Sequence, residues 1–368
     1  MANFSDLLGQ YFESVVCIGS RYLPEDIARS HGIERELDHY YNDAIPLKSS
    51  ADETEYLLSH SEKIKAAKSD LLALLKRHKV SRQDVLCYPS VDFYSLHALA
   101  DAAEELKKVG GPTIMLRMIG VMETAATGAY ARPMNVVLAL LGRLFSSGLR
   151  VKLAAETPRY ADYLAVHLDR SVAVAANIET REQLPLPENG VFTVICPGSA
   201  RYDKGFLSLL EIFTNVRRRD PELKIRFQTQ LLPDHDLKHH LDYVQRLYAV
   251  PGVKILPAQI SSDEIAAMYD NADLVLLPYA HDVYEFRGSA VLIEAICSGR
   301  QVIALDGSAF VDQMRYFGGG TVCSSLGEMA DKVIEVSRQS PQLRFAKARQ
   351  ARERFTKDLA DSYRNWVM

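Results

Sequence analysis

Two stretches of the chain join residue types that suit an anion to the pattern of a strand, a turn and a helix start. The first is Gly198-Ser199-Ala200-Arg201-Tyr202-Asp203-Lys204-Gly205-Phe206, which follows the apolar run 191–197 and precedes a helical pattern over 204–218. Cations at the start of a helix face the positive end of its dipole, a poor place for them unless an anion is there too. The second stretch runs from Asp273 to Gly299. Leu274 to Leu277, ended by Pro278, suits a strand buried on both faces. The polar loop Tyr279 to Arg287 follows, with Tyr284, Glu285 and Arg287 as its chemically useful side chains. Gly288-Ser289-Ala290 then opens a helical pattern of Val291, Leu292, Ala295 and Ile296 that Gly299 closes. Free N–H groups in a first helical turn bind phosphate, and small residues let it approach closely. Glu294 lies further along the same helix, roughly 9 Å from its start at about 1.5 Å per residue. That is the separation of a diphosphate from a ribose, whose hydroxyls a carboxylate accepts.

Other clusters read as structure. Asp234-His235-Asp236 with His239 and His240 has metal-like spacing, but no general base or further ligand pattern accompanies it. Asp234 after Pro233 reads as a helix cap, with the histidines on the exposed face of a helix over 235–249. No Asp-x-Asp diphosphate–metal motif appears elsewhere in the chain. The expectation is a site without a metal. The five cysteines, Cys17, Cys87, Cys196, Cys297 and Cys323, are odd in number and fall mostly in apolar runs, so they read as reduced and buried.

These stretches sit in alternating strand and helix patterns, the signature of a parallel sheet covered on both faces. In the first half the strands fall at 15–19, 85–88, 113–118, 151–155 and 172–176, with helices continuing to about Asp43 and over 51–79, 92–109, 133–148 and 157–169. In the second half they fall at 191–198, 223–229, 253–256, 274–277, 301–305 and 320–323, with helices at 261–271, 309–316 and 326–339 between the later ones. Between the halves, 177–189 is polar and rich in proline, a linker. At 368 residues, 48% hydrophobic and 24% charged, two ordinary globular domains are expected. A net charge of −4 gives no reason to expect a nucleic-acid partner.

The two motif stretches resemble the signature of retaining glycosyltransferases of family 4. That resemblance implies an α/β chain of the GT-B fold, two doubly wound Rossmann-like domains facing a cleft. The family carries two glutamates separated by seven residues, the second followed by Ala and then Gly. Glu294-Ala295 with Gly299 matches the second half, whereas eight residues separate Glu285 from Glu294 and Phe286 holds the strict position. By this resemblance Lys204, six residues after Gly198, stabilises the departing diphosphate. Arg201 supplies the charge that the family often places where Ser199 stands, and Glu285 contacts the donor sugar. Gly198, Ser199, Tyr284, Arg287, Gly288, Ser289, Ala290 and Val291 line the donor site, and Glu294 holds the ribose. The base would be read by backbone of Pro257 to Ile260; Gln228 and Gln230, at a strand end, either line the same cleft or, as is more usual there, are solvated. A histidine common after the family's third strand is replaced here by Arg117.

The implied organisation is an acceptor-side domain over 1–176 whose opening βα unit is short or missing, and a nucleotide-sugar domain over 190–340. A terminal helix over 341–368 packs back on the first domain. The implied activity is transfer of a sugar from a nucleoside diphosphate sugar to a carbohydrate or lipid-linked acceptor hydroxyl, in cell-surface polysaccharide or glycolipid synthesis. Two alternatives stay open, a GT-B-like binding or regulatory protein without transfer and a nucleotide-sugar epimerase. No apolar run reaches 18 residues, and the N-terminus lacks a secretion signal, so a cytoplasmic protein is expected. Leu71 to Arg82 joins four leucines to Lys76, Arg77, Lys79 and Arg82, a pattern that fits peripheral contact with an anionic membrane or a core helix with a basic last turn.

Overall fold

The computed structural model describes residues 2–38, 61–120, 131–179, 182–187, 190–198, 200–281 and 283–368. Ser199, Thr180, Arg181, Asp282 and the expected helical stretch across 39–60 lie outside the described residues. The chain forms two compact units, Met1–Ile178 with Ser362–Met368, and Glu179–Asp361. The helix Pro341–Val367 begins in the second unit and ends in the first.

In the first unit β1 (Cys17–Ser20) and β2 (Ile33–Leu37) form a parallel pair. β3 (Val85–Tyr88), β4 (Thr113–Met118), β5 (Val151–Ala155) and β6 (Ala173–Val174) form a parallel sheet in that order. The long helix expected after β1 is not there. A short helix, Glu25–Ser30, is followed by Gly32 at φ +61°, which ends it and lets Ile33 pair with Cys17 as a strand. In the same way the expected helix over 92–109 breaks at Ala102 into Phe93–Asp101 and Ala103–Lys108.

The helix Ser61–Arg77 buries Leu71 and Leu75 and half-buries Leu72 and Leu74, leaving Lys76, Arg77 and Lys79 in water. Its apolar face is therefore spent inside the unit, and what it offers outside is charge.

The second unit is one six-stranded parallel sheet of β7 (Phe192–Cys196), β8 (Ile225–Gln230), β9 (Val253–Leu256), β10 (Leu274–Leu277), β11 (Gln301–Leu305) and β12 (Gly320–Cys323). Its core sets Val194, Phe227, Leu274 and Leu276 of the sheet against Phe213 and Val216 of the helix Leu209–Arg219 and Val333 of the helix Leu326–Ser337. Phe213 and Phe227 stack with ring centroids 4.1 Å apart.

Strand order decides where a ligand fits. It runs β12-β11-β10-β7-β8-β9, so the chain leaves β7 toward β8 and β9, then returns to β7's other side as β10 and moves the opposite way. β7 and β10 are neighbours whose outgoing connections diverge. The crevice outside the carboxyl ends of such a pair is where open α/β sheets bind ligands. Both motif stretches start there, Gly198 two residues after β7 and Tyr279 two residues after β10.

Candidate functional site

After β7 the backbone turns at Gly198, φ +91°, and again at Gly205, φ +72°. Neither position accepts a side chain. A Cβ on Gly205 would lie 1.8 Å from the Pro278 carbonyl oxygen, and one on Gly198 would lie 2.8 Å from Lys204 Nζ and 3.5 Å from Val291 Cγ2. The second pair of distances locates the site: the Lys204 ammonium lies over Gly198, whose other flank is the first turn of the helix Ala290–Cys297. The Ala280 N–H donates to the Asp203 carbonyl at 2.8 Å, so the two loops are tied together.

At that helix start Ser289 is the cap, and its hydroxyl accepts from the Leu292 N–H at 3.2 Å. The N–H groups of Ala290 and Val291 make no hydrogen bond among the described residues. Ala290 is exposed, while Gly288, Ser289 and Val291 are buried. Two free amides, a helix dipole and an ammonium thus converge beside Gly198, a geometry suited to a phosphoryl group.

The Lys204 backbone N–H donates to the Arg201 carbonyl at 3.2 Å, but its ammonium makes no hydrogen bond or ion pair among the described residues. Burial lowers its pKa first, and Arg201 and Arg287 press it further down, while Asp203 and Glu294 act the other way. Arg201 donates to Asp203 Oδ2 at 2.6 Å and to the Tyr284 hydroxyl at 3.2 Å. Arg287 lies with its guanidinium carbon 5.6 Å from the Tyr284 ring centroid. Tyr284 is 3% exposed and packs against Tyr279 and Phe310. Glu285 is half-buried on the same loop. Glu294, also half-buried, accepts from the Tyr269 hydroxyl at 3.1 Å, which fixes one of its oxygens.

The structure therefore brings Gly198, Arg201, Lys204, Tyr284, Arg287 and Val291 into one neighbourhood, with Glu294 close enough to be felt by Lys204. Sequence reasoning missed Tyr269, Asp203 and Tyr279. Asp203 stands between Arg201 and Lys204 and was legible as a partner for either. Tyr269 sits on the helix Ser262–Asp270, 25 residues from Glu294, and nothing local marks it. Tyr279 lines the cavity beneath Lys204 together with Cys196, Phe206 and Thr229.

Three readings change. Gln228 and Gln230 are not solvated, at 8% and 3% exposed, and Gln230 Nε2 donates to the Ala258 carbonyl at 3.3 Å. The expected helix over 235–249 is two, Asp234–Leu237 and Leu241–Tyr248, and the cap of the first is Pro233, Asp234 being its first residue. His235 and His239 are exposed. The group with metal-like proximity among the described residues is elsewhere, Glu34, Glu36 and His78, where Glu36 Oε2 already meets Arg77 at 3.0 Å and His78 at 3.1 Å. The cysteines are free.

Residues 191–339 match the family model described as "Glycosyl transferases group 1". No curated protein sequence matches the chain. Among solved structures, an α,α-trehalose 6-phosphate synthase from Burkholderia multivorans is similar with a TM-score of 0.61 at 11% identity, over 87% of this chain and 75% of that one. A sucrose-phosphate synthase from Thermosynechococcus elongatus is similar with a TM-score of 0.58 at 14% identity, over 90% of this chain and 82% of that one. The structure called TarM gives 0.57 at 14% identity, over 83% of this chain and 58% of that one. The fold is α/β and GT-B, with Rossmann-like units. With the family match over the second unit, it supports a GT-B glycosyltransferase.

Proposed function

We propose that the protein is a retaining glycosyltransferase that takes a sugar from a nucleoside diphosphate sugar to an acceptor hydroxyl, as family 4 enzymes do. The observation that carries this reading is the convergence beside Gly198 of the Lys204 ammonium and the start of the helix Ala290–Cys297. As the glycosidic C–O bond breaks, negative charge grows on the departing diphosphate. A pre-placed ammonium with fixed backbone amides stabilises that charge without reorganising. Arg201 and Arg287 flank the same place, Glu294 takes the ribose hydroxyls, and Glu285 is assigned to the sugar.

No enzymatic nucleophile is evident in the sequence, and on this reading the acceptor hydroxyl attacks from the face the diphosphate leaves. A phosphate oxygen takes the hydroxyl proton, so the new bond keeps the old anomeric configuration and the free nucleoside diphosphate departs. A neighbour of this fold, a trehalose-6-phosphate synthase, performs glycosyl transfer with retention. The charge on the diphosphate is met by protein cations, so the transfer is assigned no metal cofactor.

The acceptor is assigned as a carbohydrate or lipid-linked hydroxyl in cell-surface polysaccharide or glycolipid synthesis, met from the cytoplasm. The exposed Lys76, Arg77 and Lys79 would approach an anionic inner leaflet by charge alone. No helix among the described residues is long and apolar enough to cross a membrane.

The test is a thermal-shift screen with a panel of nucleoside diphosphate sugars, since a ligand that binds only the folded state raises the melting temperature. At least one donor is expected to raise it, and Glu294→Ala to reduce that rise. NMR of the product should show an unchanged anomeric configuration. A panel in which no donor shifts the melting temperature, or an inverted product, rejects the reading.

A further inference from the structure

The helix Ala290–Cys297, which carries Glu294, is tied to the helix Ser262–Asp270 through side chains at two levels. In its middle, Glu294 Oε2 accepts from the Tyr269 hydroxyl at 3.1 Å. At its far end, the Arg300 backbone N–H donates to the Ala295 carbonyl at 2.9 Å and closes the helix. The guanidinium of the same Arg300 then reaches across, Nε to the Tyr269 carbonyl at 2.9 Å and Nη2 to the Asp270 carbonyl at 3.2 Å. Its Nη1 donates to the Pro185 carbonyl at 2.9 Å. Tyr269 is thus gripped at its backbone from beyond the end of Glu294's helix, and with its hydroxyl it grips a side chain within that helix. Both residues are deep, Tyr269 at 0% and Arg300 at 3% exposed.

We propose that Tyr269 is a positioning residue that aims the Glu294 carboxylate, so that the site selects nucleoside diphosphates with ribose hydroxyls over those without. The proposal deepens the donor reading given above and rests on it. A glutamate side chain has several torsions, and ordering them on meeting a ligand costs affinity. The Tyr269 hydroxyl does that ordering in the free protein. An ionised carboxylate accepts at about four places, so one donated hydrogen does not exhaust it, and a vicinal pair of hydroxyls finds an acceptor already in place.

The use of a phenol has a physical reason. It carries no positive charge, so it orients the carboxylate without drawing on the charge that makes it a strong acceptor. A lysine or arginine in its place would neutralise what it held. Tyr269 is wholly buried, so its effect on a ligand passes through Glu294.

The test compares, by calorimetry on the full chain, ADP, GDP and UDP with their 2′,3′-dideoxy counterparts, which keep base and diphosphate and lack both hydroxyls. For the base that binds, the wild type is expected to prefer the ribonucleotide by at least about tenfold. Tyr269→Phe keeps the buried ring and loses only the hydroxyl. It is expected to narrow that preference to about threefold or less, with the dideoxy form and inorganic pyrophosphate changed by less than about twofold. Glu294→Ala is expected to abolish the preference, and Tyr269→Phe added to it to change nothing further, as for two residues acting as one.

Equal weakening of both forms by Tyr269→Phe would mean that the hydroxyl only supports packing, and an unchanged preference would mean that Glu294 is aimed without it. Either overturns the proposal, as does a further loss of affinity when Tyr269→Phe is added to Glu294→Ala. Should Tyr269→Phe not fold, Tyr269→Met, an adaptable side chain without a hydroxyl, reads the same ratio, and an unchanged ratio there overturns it too. A wild type that binds a nucleoside diphosphate equally well without the ribose hydroxyls overturns this inference and leaves the donor reading standing. One that binds none of these nucleotides overturns both.

Discussion

Arg117, buried in the first unit, and Lys204, half-buried in the second, are cations treated in opposite ways. Arg117, 2% exposed at the carboxyl end of β4, spends all three guanidinium nitrogens. Nε donates to the Ala175 carbonyl at 2.5 Å, Nη1 to the Pro89 carbonyl at 2.9 Å and Nη2 to Asn177 Oδ1 at 2.8 Å, with Glu156 at 3.8 Å. Asn177 in turn donates to Glu156. Lys204 spends none of its ammonium hydrogens among the described residues. A buried cation whose hydrogens all end on protein holds a fold together. A half-buried cation whose ammonium meets no protein acceptor suits the anion-binding role proposed above.

The comparison breaks or sharpens under substitution. The largest effect belongs to Arg117. Removing it leaves Glu156, 5% exposed, as a buried charge without its cation, so Arg117→Met is expected to cost about 3–5 kcal/mol in urea unfolding. A loss below about 1 kcal/mol would end its structural assignment. Lys204→Met should invert the pattern, with turnover lower by about 10²–10³ and unfolding free energy unchanged or higher. A destabilised Lys204→Met with full turnover would make the two cations alike.

The smallest effect is on pH. Burial and the nearby arginines hold the folded Lys204 pKa below the roughly 10.4 of an unfolded lysine. Across that window the unfolded chain binds the proton and the folded chain does not, so stability rises with pH. Diphosphate favours the charged form, so binding there takes up a proton and weakens as pH rises. Calorimetry in buffers of different ionisation heat reads the uptake, which should vanish in Lys204→Met. Identical pH profiles in the two proteins would separate Lys204 from the anion.

Why some of this was legible beforehand and some not follows from how far each signal reaches. β4, β5, β9, β10, β11 and β12 stand where their apolar runs end, because a buried parallel strand carries its own pattern. Helix breaks at Gly32 and Ala102 were missed because periodicity continues across them, and only the backbone turn or the partner strand decides. The Gly198, Lys204 and Gly288 pattern was readable as local chemistry. Tyr269 beside Glu294 was not, since its role arises from two helices meeting. Nor was the burial of Gln228 and Gln230, because strand ends look solvated until the loop after β9 covers them. Arg117 read as a substitute for a donor-side histidine, and only its three acceptors identify it as a tie.

The pairing of β7 with β10 also bears on how the second unit acquires its shape. The Thr193 N–H and Asp273 Oδ2 meet at 2.9 Å across 80 residues of chain, whereas β7 with β8 and β10 with β11 close much shorter spans. Closing the wider span costs more entropy and depends on neighbours already in register, so it belongs to a late stage of folding. Gly198 and Val291 are brought together by that same event. On the reading proposed above, the chain is expected to gain affinity for the anion only once β10 is in place, and ligand added to a refolding reaction should slow unfolding without speeding folding.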